Sequence, residues 1–410
     1  MKQLNILISG ASIAGPALAY WLHRYGYRTT VVERAPAPRP GGQTVDLRGA
    51  GRTVVERMGL MEQVRAVTVD QRGLAMLDRR GRVTTELPSD LFGGEGIVSE
   101  IEVLRGDLAE ILHSATLCPR HGEATEYLFD DTITDLAQSD DGVTVTFEKA
   151  APRRFDLVIG ADGLHSVVRG LAFGPESDHV VPLDCYMAWF TAPADDTLDG
   201  WFQMQQPGGG RVASLRPGRL PGETKAALSF RSPPLQVDRR DLAAQRRLVE
   251  ERFAGLGWKV PWLLRAMHTA SDFTFDSVGQ VKLERWSRGR VALVGDAGYS
   301  PSALTGLGTS LALVGAYVLA GELAAAGGDH RVAFPRYDAI MAPYVASGQE
   351  LPPMGAKGFA PGSRFMVWSS QASMRWMTRW PLRGMAAKVF AKADGIDLPA
   401  YEPLLAGAPG

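Results

Sequence analysis

Ile6-Leu-Ile-Ser-Gly10-Ala-Ser-Ile-Ala-Gly15, with Glu33 closing the next apolar run, decides the fold. Residues 4–9 form an apolar run of strand length. Residues 10–15 then turn the chain into a helix in which Ala14, Leu18 and Leu22 recur every four residues. Gly26 ends that helix, 28–32 reads as a second buried strand, and Glu33-Arg34 closes it. Strand, glycine turn, helix, strand, acid is the layout of a dinucleotide site. The first glycine permits a tight turn, a small residue next admits a pyrophosphate, and the last glycine lets helix and strand pack closely. Free N–H groups and the dipole at the helix start attract the anion. Glu33 lies where a carboxylate can accept hydrogen bonds from a ribose. Ser12 stands where the middle glycine usually does. A hydrolase nucleophile elbow centred on Ser12 is set aside, because Gly-x-Ser-x-Gly needs a glycine where Ala14 stands.

Bulk properties bound the rest. At 410 residues the chain is long enough for two or three domains. A formal net charge of −1 and the absence of a polybasic run argue against a nucleic-acid partner. Cys118 and Cys185 are the only cysteines, which fits a reducing, cytoplasmic setting, and seven histidines without ligand spacing predict no metal site. Residues 297–321 carry no charged residue and are long enough to span a bilayer. Ser300, Pro301, Ser302, Thr305, Thr309 and Ser310 in the first half read instead as a polar loop leading into a buried core helix, so no integral membrane segment is expected. Oligomeric state, monomer or homodimer, is not legible.

Along the chain, 35–42 is a proline-rich loop, and Gly41-Gly-Gln-Thr-Val-Asp46-Leu-Arg48 leads into a helix ending at Gly59. Residues 74–77 and 83–87 read as a hairpin, 104–114 as a helix, 125–147 as strands turning at Asp140-Asp-Gly142, and 156–160 as a buried strand. From 180 to 232 strands dominate and aromatics concentrate. Helices follow at 239–253 and near 261–267, the α/β pattern returns at 291–294, and the remainder is largely helical. The expected fold is α/β: a discontinuous Rossmann-like domain (1–70, 101–178, 283–345), an inserted antiparallel-sheet domain (71–100, 179–282) that can hold a substrate, and a helical C-terminal segment (346–410).

Three further segments fit a flavin site. Arg105 opens Leu104-Arg-Gly-Asp-Leu108, where a guanidinium can clamp phosphate or ribitol oxygens. Asp156-Leu-Val-Ile-Gly-Ala-Asp162-Gly163 is a buried strand ending in an acidic glycine turn. Arg290-Val-Ala-Leu-Val-Gly295-Asp296-Ala297 is another, followed by a loop holding Gly306 and Gly308. In this order and spacing, the segments resemble the class A flavin monooxygenases, the aromatic hydroxylase family with the p-hydroxybenzoate hydroxylase-like fold. Gly41–Leu47 and the helix after it are similar to the tetracycline-inactivating and related actinobacterial hydroxylases.

The resemblance implies that FAD is bound by Gly10, Ser12, Ile13, Ala14 and Gly15, by Glu33 with Arg34 at the adenosine ribose, and by Arg105 at the phosphate–ribitol region. Asp296 would take the ribitol hydroxyls, Asp162 and Gly163 would sit near the pyrophosphate, and Asp46 would contact the flavin end. Arg39 would meet NADPH or NADH. Pro301, Gly306, Gly308, Thr309 and Ser310 would pass beneath the flavin ring, with a helix N-terminus aimed at its N1 and C2 carbonyl. Two family patterns are altered: the usual GDAAH is Gly295-Asp-Ala-Gly298-Tyr299, and the usual GQGxN is Gly306-Leu307-Gly308-Thr309-Ser310.

The implied chemistry is reduction of FAD by NAD(P)H, reaction with O2 to a C4a-hydroperoxide, and transfer of one oxygen atom to an aromatic or polyketide-like small molecule, as in antibiotic biosynthesis or modification. No catalytic side chain is singled out. Gln203, Phe230 and Gly306 are the candidate substrate contacts. A flavin reductase or dehydrogenase on the same fold, without oxygenation, is the alternative, and a flavin-binding scaffold without catalysis a third. A halogenase is disfavoured by the absence of a Trp-x-Trp-x-Ile stretch. The segment carrying Phe365, Trp368, Met374, Trp376 and Trp380 reads as a helix capping the cavity or packing on the flavin domain, with an interfacial membrane helix as the minority reading.

Overall fold

A computed structural model describes residues 3–90, 100–118, 124–377 and 395–404. The first sheet grows from the apolar runs. Asn5–Ser9 lies parallel between Leu157–Gly160 and Arg28–Glu33. Glu126–Phe129 extends one edge, and Val291–Leu293 and Ser287–Arg288 the other. The middle strands read as unbroken Ile, Leu and Val because helices cover both faces; Ile6, Leu7, Ile8, Val158 and Ile159 have no exposed surface. Helix Ala14–Arg24 packs against helices Arg105–Leu117 and Gly308–Ala325.

Gly308–Ala325 is apolar all round, as a helix enclosed by protein can be. It is long and apolar enough to cross a membrane, but 83% of it is buried inside the protein. A Cβ at Gly315 would stand 1.8 Å from the Tyr299 hydroxyl. Tyr299 is itself fully buried, and accepts a hydrogen bond from Tyr337 at 3.0 Å. The departure at Tyr299 therefore fills the core rather than a pocket wall.

The second sheet has seven strands, in the order Thr274–Val281, Val180–Pro193, Glu223–Arg231, Arg211–Pro217, Trp201–Gly208, Gly73–Leu77 and Val83–Pro88. Side chains alternate between its faces. Tyr186, Ala188, Phe190, Leu228 and Phe230 lie under helices Leu242–Phe253 and Val260–Thr269. The opposite, inner face carries Met187 and Trp189, packed with Leu304 and Phe359, and Phe202 and Met204 beside Leu74, Met76 and Met374. Met374 arrives on helix Arg364–Met377, whose Gln371 Oε1 accepts from Thr84 Oγ1 at 3.2 Å. That helix thus packs on the sheet domain; Trp380 lies outside the described residues.

Two smaller ribbons complete the frame. Ile133–Ser139, Gly142–Phe147 and Arg153–Phe155 form an antiparallel sheet, and Thr44–Asp46 pairs with Glu102–Leu104 just before the Arg105 helix.

Candidate cofactor and active site

The glycine turn is a cradle that side chains would fill. Gly10 sits at φ +107°, and a Cβ there would lie 2.5 Å from the Ala161 carbonyl oxygen. A Cβ at Gly15 would lie 1.9 Å from the Gly10 carbonyl oxygen. Only glycine fits either place. Ile13 caps the following helix without a side-chain acceptor, so the amides around Ala14 and Gly15 are left for an anion. Ser12 has a use that a glycine could not supply: its hydroxyl accepts from Arg105 Nη1 at 2.9 Å.

Glu33 is tied to the same turn. Its Oε2 accepts from the Ala11 amide and its Oε1 from the Ala35 amide, both at 2.9 Å, while Arg39 Nη2 reaches Oε1 at 3.4 Å. Arg39 is exposed at the rim, and Arg34 points to solvent.

Asp296 is accessible, yet the protein around it is dense enough that burial raises its carboxyl pKa, against a hydrogen bond from Ser300 and the positive charge of Arg105. An accessible side chain in such surroundings lines an internal cleft. Arg105 stands in the same cleft: burial, then Arg39, lower its pKa, and Glu33 and Asp296 oppose them. Arg105 also packs 3.4 Å from where a Gly42 Cβ would be. Arg105 and Asp296, 191 positions apart in sequence, thus converge.

The loop before the core helix closes one end. Pro301 is buried, and its carbonyl accepts from Gln280 Nε2 at 2.9 Å. Gly306 is exposed at φ +69°, and its missing Cβ would lie 3.3 Å from Asp46 Oδ2. Gly308 begins the helix after Leu307, which supplies no side-chain cap, so a second helix N-terminus offers free amides to this region. Thr309 and Ser310 are buried, and Ser310 Oγ donates to the Arg48 carbonyl at 3.0 Å. Ser310 therefore anchors the helix to its neighbour rather than facing the cleft.

Asp162 is occupied by its own chain. Its carboxylate accepts from the Val167 and Val168 amides at 2.9 and 3.2 Å, and from Ser9 and Ser166 hydroxyls. It holds the start of helix Val167–Phe173 against the turn, and Gly163 follows at φ +82°.

Gln203 and Phe230 are not brought to the cleft. Both project from the sheet face covered by the two helices. Gln203 Nε2 donates to the Thr197 carbonyl at 3.1 Å, and Phe230 stacks with Tyr186 and Phe275 in that outer core at 1% exposure. Strand period two decides this: Gln203 pairs with Leu215, an outer-face residue, whereas its neighbours Phe202 and Met204 face inward. Gly306, by contrast, is at the cleft.

One group escapes a reading of the sequence. Glu102, 1% exposed, faces Asp46 across the short ladder. Gln71 Nε2 donates to Glu102, and Arg216 Nη1 reaches it at 2.9 Å while its guanidinium lies 3.9 Å from the Phe202 ring centroid. Burial pushes the Glu102 carboxyl up to about 7, against Arg216 and with Asp46 adding to the rise. The available signal was a charged residue between Ile101 and Val103 in an otherwise apolar run.

Two uncapped helix N-termini, a glycine cradle, the Glu33 carboxylate, and Arg105 with Asp296 form a site whose donors and acceptors fit FAD. Comparison with known proteins agrees. Residues 3–333 match the family described as FAD binding domain. An uncharacterised protein of Mycobacterium tuberculosis is 47% identical over 358 residues, covering 87% of this chain and 95% of that one. A flavin-dependent monooxygenase from an unknown prokaryotic organism is 41% identical over 346 residues, covering 84% and 87%. The crystal structure of the tetracycline destructase Tet(51) superposes with a TM-score of 0.80 at 31% identity, covering 97% of this chain and 99% of that one.

Proposed function

This chain belongs to the FAD binding domain family and is an FAD-dependent monooxygenase, and from that premise we propose that it uses NADPH or NADH with O2 to insert one oxygen atom into an aromatic or polyketide-like small molecule of the tetracycline type. The observation that carries the substrate class is the inner face of the seven-stranded sheet. Half-buried Met204 and Trp189 and buried Phe202 and Met187 give that face broad, polarisable side chains, and Leu304 packs against part of it. Flat ring systems are held by aromatic and thioether contacts of this kind. The tetracycline destructase likeness supports the same class.

FAD, when bound, supplies the activation of O2. The chain supplies position, charge and dryness. Glu33 holds the ribose, Arg105 and the first-turn amides of Ala14 and Gly15 hold phosphate oxygens, and Asp296 holds the ribitol. The free amides at Gly308 and Thr309 stabilise negative charge at the flavin end. Arg39, exposed beside Glu33, would meet the anionic groups of the reduced nicotinamide. Helix Arg364–Met377 closes the inner face through Met374 and excludes water.

The test is mass spectrometry of products from a panel of phenolic, quinone and tetracycline-type compounds, with O2 uptake followed in parallel. A product one oxygen atom heavier, formed with matching O2 uptake, is expected from at least one member. Reduced nicotinamide consumed at an unaltered rate across the whole panel, with no oxygenated product, would remove this substrate class.

A further inference from the structure

Glu102 is a buried carboxylic acid whose use the cofactor site does not explain. Its ladder partner Asp46 reaches the Gly306 loop. Directly paired residues of a ladder project to one face, so the Asp46 side chain sets its negative charge beside the buried Glu102 carboxyl. The groups facing the pair are Arg48, which ion-pairs with Asp46 from the start of the neighbouring helix, Arg216 from the second sheet, Gln71 from the segment before Gly73–Leu77, and Thr44, which accepts from Arg216. No wet surface reaches Glu102, so its charge answers to neighbouring charges with little screening.

We propose that Glu102, facing Asp46, is a one-proton store whose filling is coupled to the charge on the flavin, taking a proton from solvent when the flavin is reduced. The proposal rests on the FAD-dependent reading. The balance is simple. A hydride from the reduced nicotinamide gives the flavin two electrons and one proton and leaves it one negative charge richer. That charge, at the end of the cleft bounded by Gly306 and Asp46, raises the affinity of the pair for a proton. One proton enters from solvent, no covalent bond to carbon is made or broken at the pair, and the region gains no net charge. The overall monooxygenase reaction consumes one proton for each O2, and the pair delivers that proton into the site before oxygen arrives.

The experiment is the midpoint potential of enzyme-bound FAD, measured by spectrophotometric titration between pH 6 and 9. Each proton taken up with a two-electron reduction makes the potential fall by about 30 mV per pH unit. At low pH the pair is filled in both redox states and adds nothing. Above about pH 7, where the oxidised protein loses the Glu102 proton, the wild type should fall more steeply than Glu102→Gln by up to ~30 mV per pH unit. Glutamine keeps the shape and an acceptor for Arg216 but cannot ionise. If E102Q does not bind FAD, Asp46→Asn removes the negative charge facing Glu102 and should move the onset of the steeper slope to lower pH. Equal slopes in wild type and E102Q, or an unmoved onset in D46N, overturn the proposal, as does a wild-type slope of about 30 mV per pH unit from pH 7 to 9. Oxygenated product with equal slopes would overturn the proton store alone. Purified protein that takes up no FAD would overturn the cofactor reading with it.

Discussion

Phe202 and Gln203 are adjacent in the chain and stand on opposite faces of the seven-stranded sheet: Phe202 packs inward with Leu74 and Met76, and Gln203 bonds to the Thr197 carbonyl on the outer side. The ring therefore lies on the cleft-side face, under the Arg216 guanidinium, and the amide on the other. Phe202→Ala should raise the KM for the organic substrate several-fold, matching roughly 0.5–1.5 kcal/mol of lost ring contact. Gln203→Ala should leave that KM unchanged. Steady-state kinetics on the two variants with one substrate decide it, and the reverse pattern would return the substrate to the outer face.

Glu33 binds two backbone amides, Ala11 and Ala35, and in the proposed site its carboxylate also holds the cofactor ribose. Glu33→Ala removes an ionised acceptor from both, at roughly 1.5–3 kcal/mol for hydrogen bonds of this kind. The Kd of the apoprotein for FAD should rise about 10- to 100-fold, read by quenching of flavin fluorescence. An unchanged Kd would remove Glu33 from the site.

Gly15 and Gly170 make an internal contrast. Gly15→Ala forces a Cβ to 1.9 Å from the Gly10 carbonyl, so the turn must open and the variant should purify with little or no flavin and a lower Tm. Gly170 lies in helix Val167–Phe173 with nothing within 4 Å of its missing Cβ. Gly170→Ala should therefore stabilise the protein by about 0.5–1 kcal/mol through reduced backbone entropy. Thermal melts at fixed FAD concentration separate the two, since bound cofactor itself raises Tm.

His23 sits at 3% exposure between the Thr29 and Thr125 hydroxyls, and burial lowers its pKa from 6.5 to about 4. The unfolded chain therefore binds a proton that the folded chain refuses between those values. Stability from this residue is complete above pH 6.5 and is lost as pH falls toward 4, on the order of 3 kcal/mol in all. Urea melts at pH 7, 5.5 and 4.5 should show that loss in the wild type and less of it in His23→Gln. Parallel pH dependence in the two would show the acid sensitivity to lie elsewhere.

Parts of the molecule were legible before any coordinates. The turn from Gly10 to Gly15 and the acid at Glu33 are local: each residue type answers to a backbone demand met within a few positions, so sequence order and chemistry coincide. The charge-free run around the core helix was also readable, because a helix polar on no side must be buried. Asp162 shows the limit. An acidic glycine turn at a strand end looks the same whether its carboxylate faces a ligand or caps the next helix, and here the Val167 and Val168 amides take it. Ser310 likewise reads as a flavin-loop residue until packing against Arg48 turns it inward.

The sequence by itself determined the dinucleotide turn, the buried core helix and the family, because these depend on short-range geometry and on one-dimensional hydrophobic order. Tertiary structure alone decided which face of the sheet meets the cleft, and that Asp46 and Glu102 are partners. A one-residue change of strand register exchanges every side chain between faces. The contact between positions 46 and 102 exists only because two short strands, separated by more than fifty residues, align antiparallel at the mouth of the Arg105 helix.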